Sequence, residues 1–398
     1  MNLVQQFNQI RDFLNIYHFL WKNEILNHYP NRFPDFFEAW VDELMDFSDE
    51  ELAQLEGHYQ VPTRASDELK KYYATICELM PIPIFEFTPQ KLQLVKIKEK
   101  KEHELQGVAE LMKELKFQRV IEFGGGVGHG GEFLSEKYSK EVISLDHNEY
   151  FQDLGRKRLV KYPKEIQLIF EHMFISPEQL RLKNWMNKDV EALCLGLHAC
   201  GSLSNHLMDF FHESKASYLL NFGCCYEKYE TPVNLSQVAK KAPLPLTTEA
   251  LHFAARSYVP LTQQDIIERK KVKHHRYLLQ FYLAQKNLAH GPQTLGSASH
   301  EDYQLPWADY ANKQLSKLGF EAANRAELTD FAAGVNQQKL YYRYFLAGLL
   351  RNALGRLIEL YIVLDRAMYL EDLGHEARIY EVFDRHISPR NIALLAVK

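Results

Sequence analysis

This chain of 398 residues contains no long apolar run, no CxxC cysteine pair and no large excess of one charge. Apolar stretches such as residues 360–364 end at charged residues well before the roughly 18 residues that a membrane span needs. No signal-peptide pattern precedes Arg11, and the five cysteines include no CxxC pair that would indicate a disulfide scaffold. These absences predict a cytoplasmic protein with no membrane partner.

The composition that remains, 46% apolar and 25% charged, is ordinary for a globular protein and predicts two or three domains. Residues 1–90 have a helical pattern, in which aromatic residues such as Phe13 and Tyr17 recur at helical spacing. Ser48 and Glu51 predict a capping box at the start of one helix. We interpret this region as a helical N-terminal accessory layer.

Helix and strand patterns alternate in the next part of the chain. A charged helix within residues 91–115 comes first. Apolar strands are predicted at residues 119–123, 142–145, 166–170, 192–197 and 218–222, with helices after most of them. Such alternation is typical of a parallel sheet that is covered by helices on both faces. The predicted fold class is therefore a doubly wound α/β sheet.

The alternation then gives way to a mostly helical, proline-punctuated stretch with one long polar loop at residues 287–304. A helical segment at residues 340–373 follows it. Two β-like runs at residues 378–383 and 391–397 then predict a C-terminal β-hairpin. We predict three parts: a helical N-terminal region (1–90), a sheet domain (91–225 and 339–398) and a helical insertion for substrate recognition (226–338).

A glycine cluster follows the first predicted strand. In that place glycines let the backbone approach a nucleotide cofactor closely, and two cofactors fit the pattern. Gly126, Gly128 and Gly131 have the GxGxxG spacing of a dinucleotide site, where a pyrophosphate lies on a helix N-terminus. Adding Glu122 and Gly124 gives the ExGxGxG spacing of S-adenosylmethionine (AdoMet) methyltransferases. A plain glycine turn with a surface carboxylate is a third interpretation.

The carboxylate of Glu122 favours AdoMet, because AdoMet carries a sulfonium and an ammonium group where a dinucleotide carries phosphates. Glu122 is predicted to serve the ammonium end. The glycines at positions 124, 126 and 128 would let the loop pass close to the cofactor. Asp146, which lies 22 residues after Gly124, ends the next strand, where it could accept the ribose hydroxyls of either cofactor.

Polar side chains also end the fourth and fifth predicted strands. His198 and Cys200 follow strand four, whereas Cys224, Cys225 and Tyr226 follow strand five. Because neighbouring strands of a doubly wound sheet end at one cleft, these clusters would face each other there. We therefore predict four catalytic candidates, which are His198, Cys200, Cys225 and Tyr226, and expect His198 to border the cofactor as well.

Three roles stay open for this group. His198 could orient an acceptor or accept its proton. Cys200 or Cys225 could attack a pyrimidine ring, provided that the thiol pKa is lowered. The histidine and cysteines could also bind zinc, but their adjacent and one-apart spacings fit the usual ligand gaps poorly, so no metal is predicted. Strand four lacks the Asn/Asp-Pro-Pro-aromatic signature of amino-methylating enzymes.

Six strings of the sequence resemble one family. They are KKEHEL at residues 100–105, EFGGGVG at 122–128, LHACG at 197–201, GCCY at 223–226, LDRAMYL at 364–370 and ISPRNIA at 387–393. Together they resemble the methyltransferase-like group that includes the so-called ribosomal RNA adenine dimethylase domain-containing proteins. The resemblance spans nearly the whole chain. It implies a Rossmann-like AdoMet methyltransferase fold with a helical N-terminal region, a helical insertion and AdoMet as cofactor.

The histidine-cysteine and cysteine-pair strings are also similar to those of tRNA ribose 2′-O-methyltransferases, which implies an RNA acceptor, either tRNA or rRNA. One departure is Ser202, where the family has an aspartate after the glycine of the strand-four string. Two alternatives remain open. The chain could methylate a protein or a small molecule, or it could be a non-catalytic interaction module. No obligate protein partner is inferred.

The charge is distributed unevenly along the chain. Residues 1–90 contain 6 Lys and Arg against 15 Asp and Glu, whereas the remaining 308 residues contain 41 against 37. The net charge of −5 therefore does not exclude an RNA partner. The basic residues 156–158 are predicted to be solvated. The densest basic run is either a solvated helix face or a phosphate-contacting surface, and it consists of Arg269, Lys270, Lys271, Lys273 and Arg276.

Overall fold

The computed structural model describes residues 2–89, 97–174, 176, 191–230, 233–256, 259–289, 291–293 and 298–398. Contacts between Cα atoms divide the chain into two compact units. The sheet unit contains Met1–Ile16, Leu79–Ser257 and Arg356–Lys398. The helical unit contains Tyr17–Glu78 and Tyr258–Gly355.

The elements are numbered here in chain order. The first α-helices are α1 (Leu3–Ile16), α2 (His18–Trp21), α3 (Asp35–Leu44), α4 (Asp49–Leu55), α5 (Asp67–Leu79) and α6 (Glu99–Met112). The alternating segment contains β1 (Arg119–Phe123), α7 (His129–Tyr138), β2 (Glu141–Asp146), α8 (Glu149–Lys161), β3 (Gln167–His172), β4 (Ala192–Cys200), α9 (Ser202–Glu213) and β5 (Tyr218–Cys224). The remainder contains α10 (Gln237–Lys241), α11 (Thr248–Ala254), α12 (Gln263–Gln285), α13 (Trp307–Lys317), α14 (Arg325–Ala333), α15 (Val335–Asn352), α16 (Gly355–Asp372), β6 (Glu376–Glu381) and β7 (Ile392–Val397).

Seven strands form one sheet in the order β3-β2-β1-β4-β5-β7-β6. Strands β1 to β5 pair in parallel, whereas β7 pairs antiparallel with both β5 and β6. The strand order reverses between β1 and β4, so ligands are expected outside the carboxyl ends of these strands. The doubly wound α/β prediction is confirmed, and so is the C-terminal hairpin.

Buried apolar residues on the sheet and on the helices that cover it explain why these elements form. All five residues of β1 are buried, as a central parallel strand requires. Leu105, Val108 and Met112 lie at helical spacing on α6 and belong to the same core cluster as Val120 of β1 and Leu193 of β4. This packing fixes α6 against the sheet beside the carboxyl ends of its strands.

The predicted N-terminal helices are present, and α4 begins with the predicted capping box between Ser48 and Glu51. The long helical segment predicted at residues 340–373 is two helices, α15 and α16. Asn352 and Gly355 flank the break, and both residue types have low helix propensity. Among the described residues, no helix is long and apolar enough to cross a membrane.

The compact units do not follow the predicted three-part boundaries, which remain a prediction about functional domains. Helix α1 belongs to the sheet unit because Phe7 stacks on Tyr361 of α16, with ring centroids 4.5 Å apart. Residues 17–78 belong instead to the helical unit, together with residues 258–355. The predicted boundary at residues 90 and 91 lies outside the described residues, as do residues 290 and 294–297 of the predicted polar loop.

Candidate active site

The glycine loop connects β1 to α7 at the carboxyl edge of the sheet. Gly124, Gly126 and Gly128 have φ angles of 75°, 57° and 75°. Only glycine adopts this region at little cost, so the loop conformation requires glycine at these three positions. Among the described residues, and apart from its chain neighbours, the nearest atom to a Cβ on Gly126 would be Oδ2 of Asp146 at 4.0 Å, so those residues leave this part of the loop uncovered. The loop thus offers bare backbone to a ligand.

Asp146 holds this loop from the end of β2. Its Oδ2 atom accepts a hydrogen bond from the Gly126 amide at 2.8 Å, and its Oδ1 atom accepts one from the Asn148 amide at 2.8 Å. The side chain is buried, so both interactions are shielded from water. Each carboxylate oxygen keeps a second lone pair, with which it could accept a ribose hydroxyl.

Glu122 lies beneath the loop. A Cβ atom on Gly130 would be 2.2 Å from its Oε1 atom, and one on Gly125 would be 2.7 Å from its Oε2 atom. Burial raises the pKa of this carboxyl group, although hydrogen bonds from the Ser144 hydroxyl and the Gly131 amide act in the opposite direction. The carboxylate therefore packs against the underside of the glycine loop, and its predicted contact with an ammonium group stays a prediction.

One face of α8 also supports the loop. Gln152 donates from Nε2 to the Gly126 carbonyl at 3.2 Å, and Arg158 donates from Nη1 to the Val127 carbonyl at 2.9 Å. Between them lies Gly155, where a Cβ atom would be 2.7 Å from the Val127 oxygen. Absence of a side chain at this glycine lets the helix approach the loop.

The prediction that residues 156–158 are solvated is wrong for Arg158. Its guanidinium also donates to Glu132 at 2.8 Å, and only 14% of its side chain is exposed. The signal in the sequence was the three-residue spacing of Gln152, Gly155 and Arg158, which places all three on one helix face. Arg156, in contrast, is 43% exposed.

His198 lies at an irregularity in β4. The pairing of β4 with β5 shifts register between Leu197 and Ala199, and His198 has a φ angle of 66°, which is uncommon outside glycine. Its Nε2 atom is 2.8 Å from Oε1 of Glu104 on α6. Because a carboxylate only accepts, Nε2 carries the proton, and Nδ1 is left to interact elsewhere.

Glu104 was not among the predicted site residues. Only 1% of it is exposed, and its Oε1 atom also accepts a hydrogen bond from the Ser388 hydroxyl at 2.7 Å. Burial alone would raise the pKa of Glu104, but the hydrogen bonds from His198 and Ser388 outweigh burial and lower it to about 2. Glu104 is thus a fixed negative charge behind His198.

Three of the strings that carry the family resemblance meet at this point. Glu104 belongs to KKEHEL, His198 to LHACG and Ser388 to ISPRNIA. Ser388 lies in the connection between β6 and β7, and it is fully buried. Residues far apart in the chain therefore form one hydrogen-bonded group at the carboxyl edge of the sheet.

The predicted cysteines lie together. The Sγ atoms of Cys200 and Cys224 are 3.0 Å apart, and those of Cys200, Cys224 and Cys225 all lie within 4.8 Å of one another. The hydrogen bond from Cys224 lowers the pKa of Cys200 to about 6, whereas the pKa values of the other two thiols are raised. Of the three thiols, Cys200 is thus the one whose surroundings favour the thiolate form.

Tyr226 lies in the core rather than at the edge of the cleft. It is 2% exposed, and its hydroxyl is 3.3 Å from Oε1 of Glu359. Burial raises the pKa of this hydroxyl well above its usual value. Glu359 in turn accepts a hydrogen bond from Arg356 at 2.7 Å. This buried network favours a structural role over the predicted catalytic one.

The basic run on α12 makes contacts within the helical unit. Arg269 pairs with Glu56, and Lys270 pairs with Asp49. Lys271 donates to Gln304, and Arg276 donates to the Tyr303 hydroxyl at 3.3 Å. The acidic N-terminal segment therefore neutralises part of the charge of this run. These contacts favour neither of the two predicted interpretations, which were a solvated helix face and a phosphate-contacting surface.

Comparison with known proteins agrees with this architecture. Residues 96–232 match a protein-family model described as "Methyltransferase domain". This segment contains β1 to β5, the glycine loop, Asp146 and His198. The sheet unit has the Rossmann-like methyltransferase fold. This match does not show membership of the narrower group that includes the adenine dimethylase domain-containing proteins, which therefore stays a prediction.

Solved methyltransferase structures resemble the chain distantly. The methyltransferase domain of bacterial CtHen1 is 12% identical, with a TM-score of 0.25 over 31% of this chain and 66% of its own. Coclaurine N-methyltransferase bound to N-methylheliamine and SAH is 10% identical, with a TM-score of 0.27 over 88% of this chain and 95% of its own. The plantazolicin methyltransferase BpumL in complex with SAH is 12% identical, with a TM-score of 0.23 over 58% and 76%.

The chain spans less than two thirds of the length of three matched structures, at 66%, 48% and 58%. Likenesses of this strength say nothing about the activity, the acceptor or the partners of the chain.

Proposed function

We propose that the protein is an AdoMet-dependent methyltransferase, with its cofactor over the glycine loop and its acceptor beside His198. The observation that carries this proposal is the loop of Gly124, Gly126 and Gly128, which Asp146 holds by a 2.8 Å hydrogen bond at the carboxyl edge of a doubly wound sheet. The family model over residues 96–232 supports the same activity.

The residues present fit AdoMet better than a dinucleotide. The space over Gly126 is open, and the Asp146 carboxylate beside it can accept ribose hydroxyls. The buried carboxyl of Glu122 beneath the loop would repel a pyrophosphate whenever it is ionised. Glu122, the loop glycines and Asp146 would therefore hold AdoMet, as the sequence predicts.

When bound, AdoMet would supply a methyl group on a positively charged sulfur; an acceptor aligned opposite that sulfur would form a bond to the methyl carbon as the carbon–sulfur bond breaks and S-adenosylhomocysteine leaves. The protein chiefly has to align the acceptor with that carbon, and alignment of this kind can lower a barrier by about 7–11 kcal/mol. A hydroxyl acceptor also loses a proton. His198 would take it at Nδ1, because the Glu104 carboxylate occupies Nε2 and stabilises the positive charge that results.

For the acceptor we propose RNA, which rests on the similarity of the LHACG and GCCY strings to those of tRNA ribose 2′-O-methyltransferases. The basic run on α12 does not strengthen the proposal of an RNA acceptor, because Arg269 and Lys270 pair with acidic residues of the same unit. Protein or small-molecule acceptors, and a non-catalytic module, are the other outcomes of the test.

The test combines binding with methyl transfer. Calorimetry should show that AdoMet binds while NAD does not, and Asp146→Ala should weaken AdoMet binding about 10-fold to 100-fold by removing charged hydrogen-bond acceptors. Asp153→Ala, on the exposed side of α8, is the matched control. Unchanged AdoMet binding by Asp146→Ala would contradict the cofactor site.

Labelled AdoMet is then incubated with separate RNA, protein and small-molecule fractions. Label in RNA that His198→Ala does not produce supports the full proposal. Label in another fraction would overturn RNA as the acceptor but would still support methyltransferase activity. AdoMet binding without label in any fraction favours the non-catalytic module.

A further inference from the structure

We propose that Cys200, Cys224 and Cys225 form a binding site for one thiolate-preferring metal ion, of which Zn²⁺ is the type. Their three Sγ atoms lie within 4.8 Å of one another, at the ends of β4 and β5. The site is separate from the proposed cofactor site, since none of these cysteines belongs to the glycine loop or its supports.

The sulfur separations suit a single ion. Zinc binds thiolate sulfur at about 2.3 Å, and tetrahedral geometry then separates neighbouring sulfurs by about 3.8 Å. The 3.0 Å between Cys200 and Cys224 and the 4.8 Å limit for the whole group lie on either side of that value. Small rotations of the cysteine side chains therefore suffice to place all three around one ion.

The backbone explains how closely spaced cysteines reach the same point. Cys200 and Cys224 are register partners on adjacent parallel strands, so their side chains leave the same face of the sheet. Consecutive residues of a strand normally alternate faces, but Cys225 has a left-handed φ of 47°. That conformation lets its sulfur return to the side of Cys224, which the spacing of the sequence did not reveal.

The surroundings leave room for a fourth ligand. Cys224 is buried, whereas Cys200 and Cys225 are partly exposed. Zinc centres with three protein ligands keep an open fourth position for water or a substrate, and the partly exposed side of this cluster would suit such a position. Lys228 and His198 lie near the Cys200 sulfur. The three cysteines would bind the ion as thiolates, so Cys224 and Cys225 would release their protons on binding, and the negative charge of three thiolates would outweigh these neighbours.

The experiment uses the full-length protein, reduced and stripped of metal by a chelator. Titration with Co²⁺, followed by displacement with Zn²⁺, should show one equivalent and the thiolate-to-cobalt charge-transfer absorption. Cys200→Ser, Cys224→Ser and Cys225→Ser should each lose this one-equivalent binding. Cys77→Ser and Cys194→Ser are the controls, because Cys77 is exposed elsewhere and Cys194 is buried within β4.

Folding is checked by circular dichroism, and AdoMet binding is measured in parallel. Because Cys225 is partly exposed, its serine variant is the one expected to fold without difficulty and to decide the question. Wild-type protein that binds no Co²⁺ when fully reduced would overturn the proposal, as would a folded Cys225→Ser variant that binds like wild type. Failure of AdoMet binding in wild type would count against the methyltransferase alone.

Discussion

The Nε2 atom of His198 lies 2.8 Å from Oε1 of Glu104, a residue 94 positions earlier in the chain. The same carboxylate oxygen accepts a hydrogen bond from the hydroxyl of Ser388. The imidazole of His198 and the hydroxyl of Ser388 both donate to this buried carboxylate. The carboxylate is thereby held in place, and it fixes the orientation of the imidazole and keeps the proton on Nε2. Glu104 is thus a positioning residue, and His198 is the group that can meet an acceptor.

Removing the Glu104 charge should therefore slow methyl transfer without weakening substrate binding. Glu104→Gln keeps an oxygen near Nε2 but loses the charge that stabilises a protonated imidazole. We expect kcat to fall about 10-fold to 100-fold while KM for AdoMet changes little. Steady-state kinetics on the labelled acceptor fraction measure this split. Glu99→Gln, an exposed change at the start of α6, should leave both constants unaltered. A rise in KM alone would show that Glu104 supports the binding site instead.

The close approach between Gly130 and Glu122 predicts a penalty for any side chain at this glycine. Gly130→Ala would place a Cβ atom 2.2 Å from Oε1 of Glu122, and should reduce the free energy of unfolding by about 1–3 kcal/mol. Denaturant unfolding measures the loss. Gly348→Ala is the control, because its Cβ would meet only the Tyr277 hydroxyl, at 3.8 Å. If Glu122 causes the clash, the double variant with Glu122→Ala should lose less stability than the two single losses combined.

Arg158 and Arg156 lie two positions apart on α8, and the structure predicts different roles for them. Arg158→Ala removes the donor to the Val127 carbonyl and the partner of Glu132, so AdoMet affinity should fall about 10-fold. Arg156→Ala should bind AdoMet like wild type, since this side chain is exposed. Calorimetry on both variants makes the comparison. Equal losses of AdoMet affinity in the two variants would mean that α8 contributes to binding only through its overall positive charge.

His129, the first residue of α7, predicts a pH dependence of stability. Burial, reinforced by the nearby Arg158 charge, lowers the pKa of His129 from 6.5 to about 4. Since the folded state takes up this proton less readily than the unfolded state, the stabilisation is complete above pH 6.5 and is lost as the pH falls towards 4.

Between pH 7 and pH 5 the loss should be about 1 kcal/mol, allowing for the partial exposure of the ring. His129→Gln should remove that part of the pH dependence, whereas His252→Gln, at an exposed position, should not. Unfolding by denaturant at the two pH values gives the comparison. An identical pH dependence in His129→Gln would assign the effect to another group.

Much of the sheet could be predicted from the sequence because strand burial leaves a strong local pattern. Strand β1 begins and ends at the predicted residues, and β2 to β5 each begin within one residue of the predicted start and run one to three residues past the predicted end. The position of β7 between β5 and β6 could not be predicted, since nothing local records which edge an antiparallel strand joins.

The site was predictable where its residues end neighbouring strands of the sheet. The glycine loop and Asp146 follow from spacing, because strand ends of a parallel sheet lie side by side. Glu104 and Ser388 reach His198 through tertiary packing, which leaves no sequence periodicity. The sequence predicts that Cys200, Cys224 and Cys225 face one cleft, but the closeness of all three sulfurs also depends on the left-handed backbone at Cys225, which residue spacing does not record.

The antiparallel strand β7 has a consequence for biosynthesis. It pairs with β5, yet about 170 residues separate the two strands, which corresponds to about 10–30 s of translation. During that interval the hydrogen-bonding edge of β5 has no native neighbour, and exposed edges of this kind recruit other chains. The nascent protein is therefore expected to depend on chaperone protection until β7 has left the ribosome and can pair with β5.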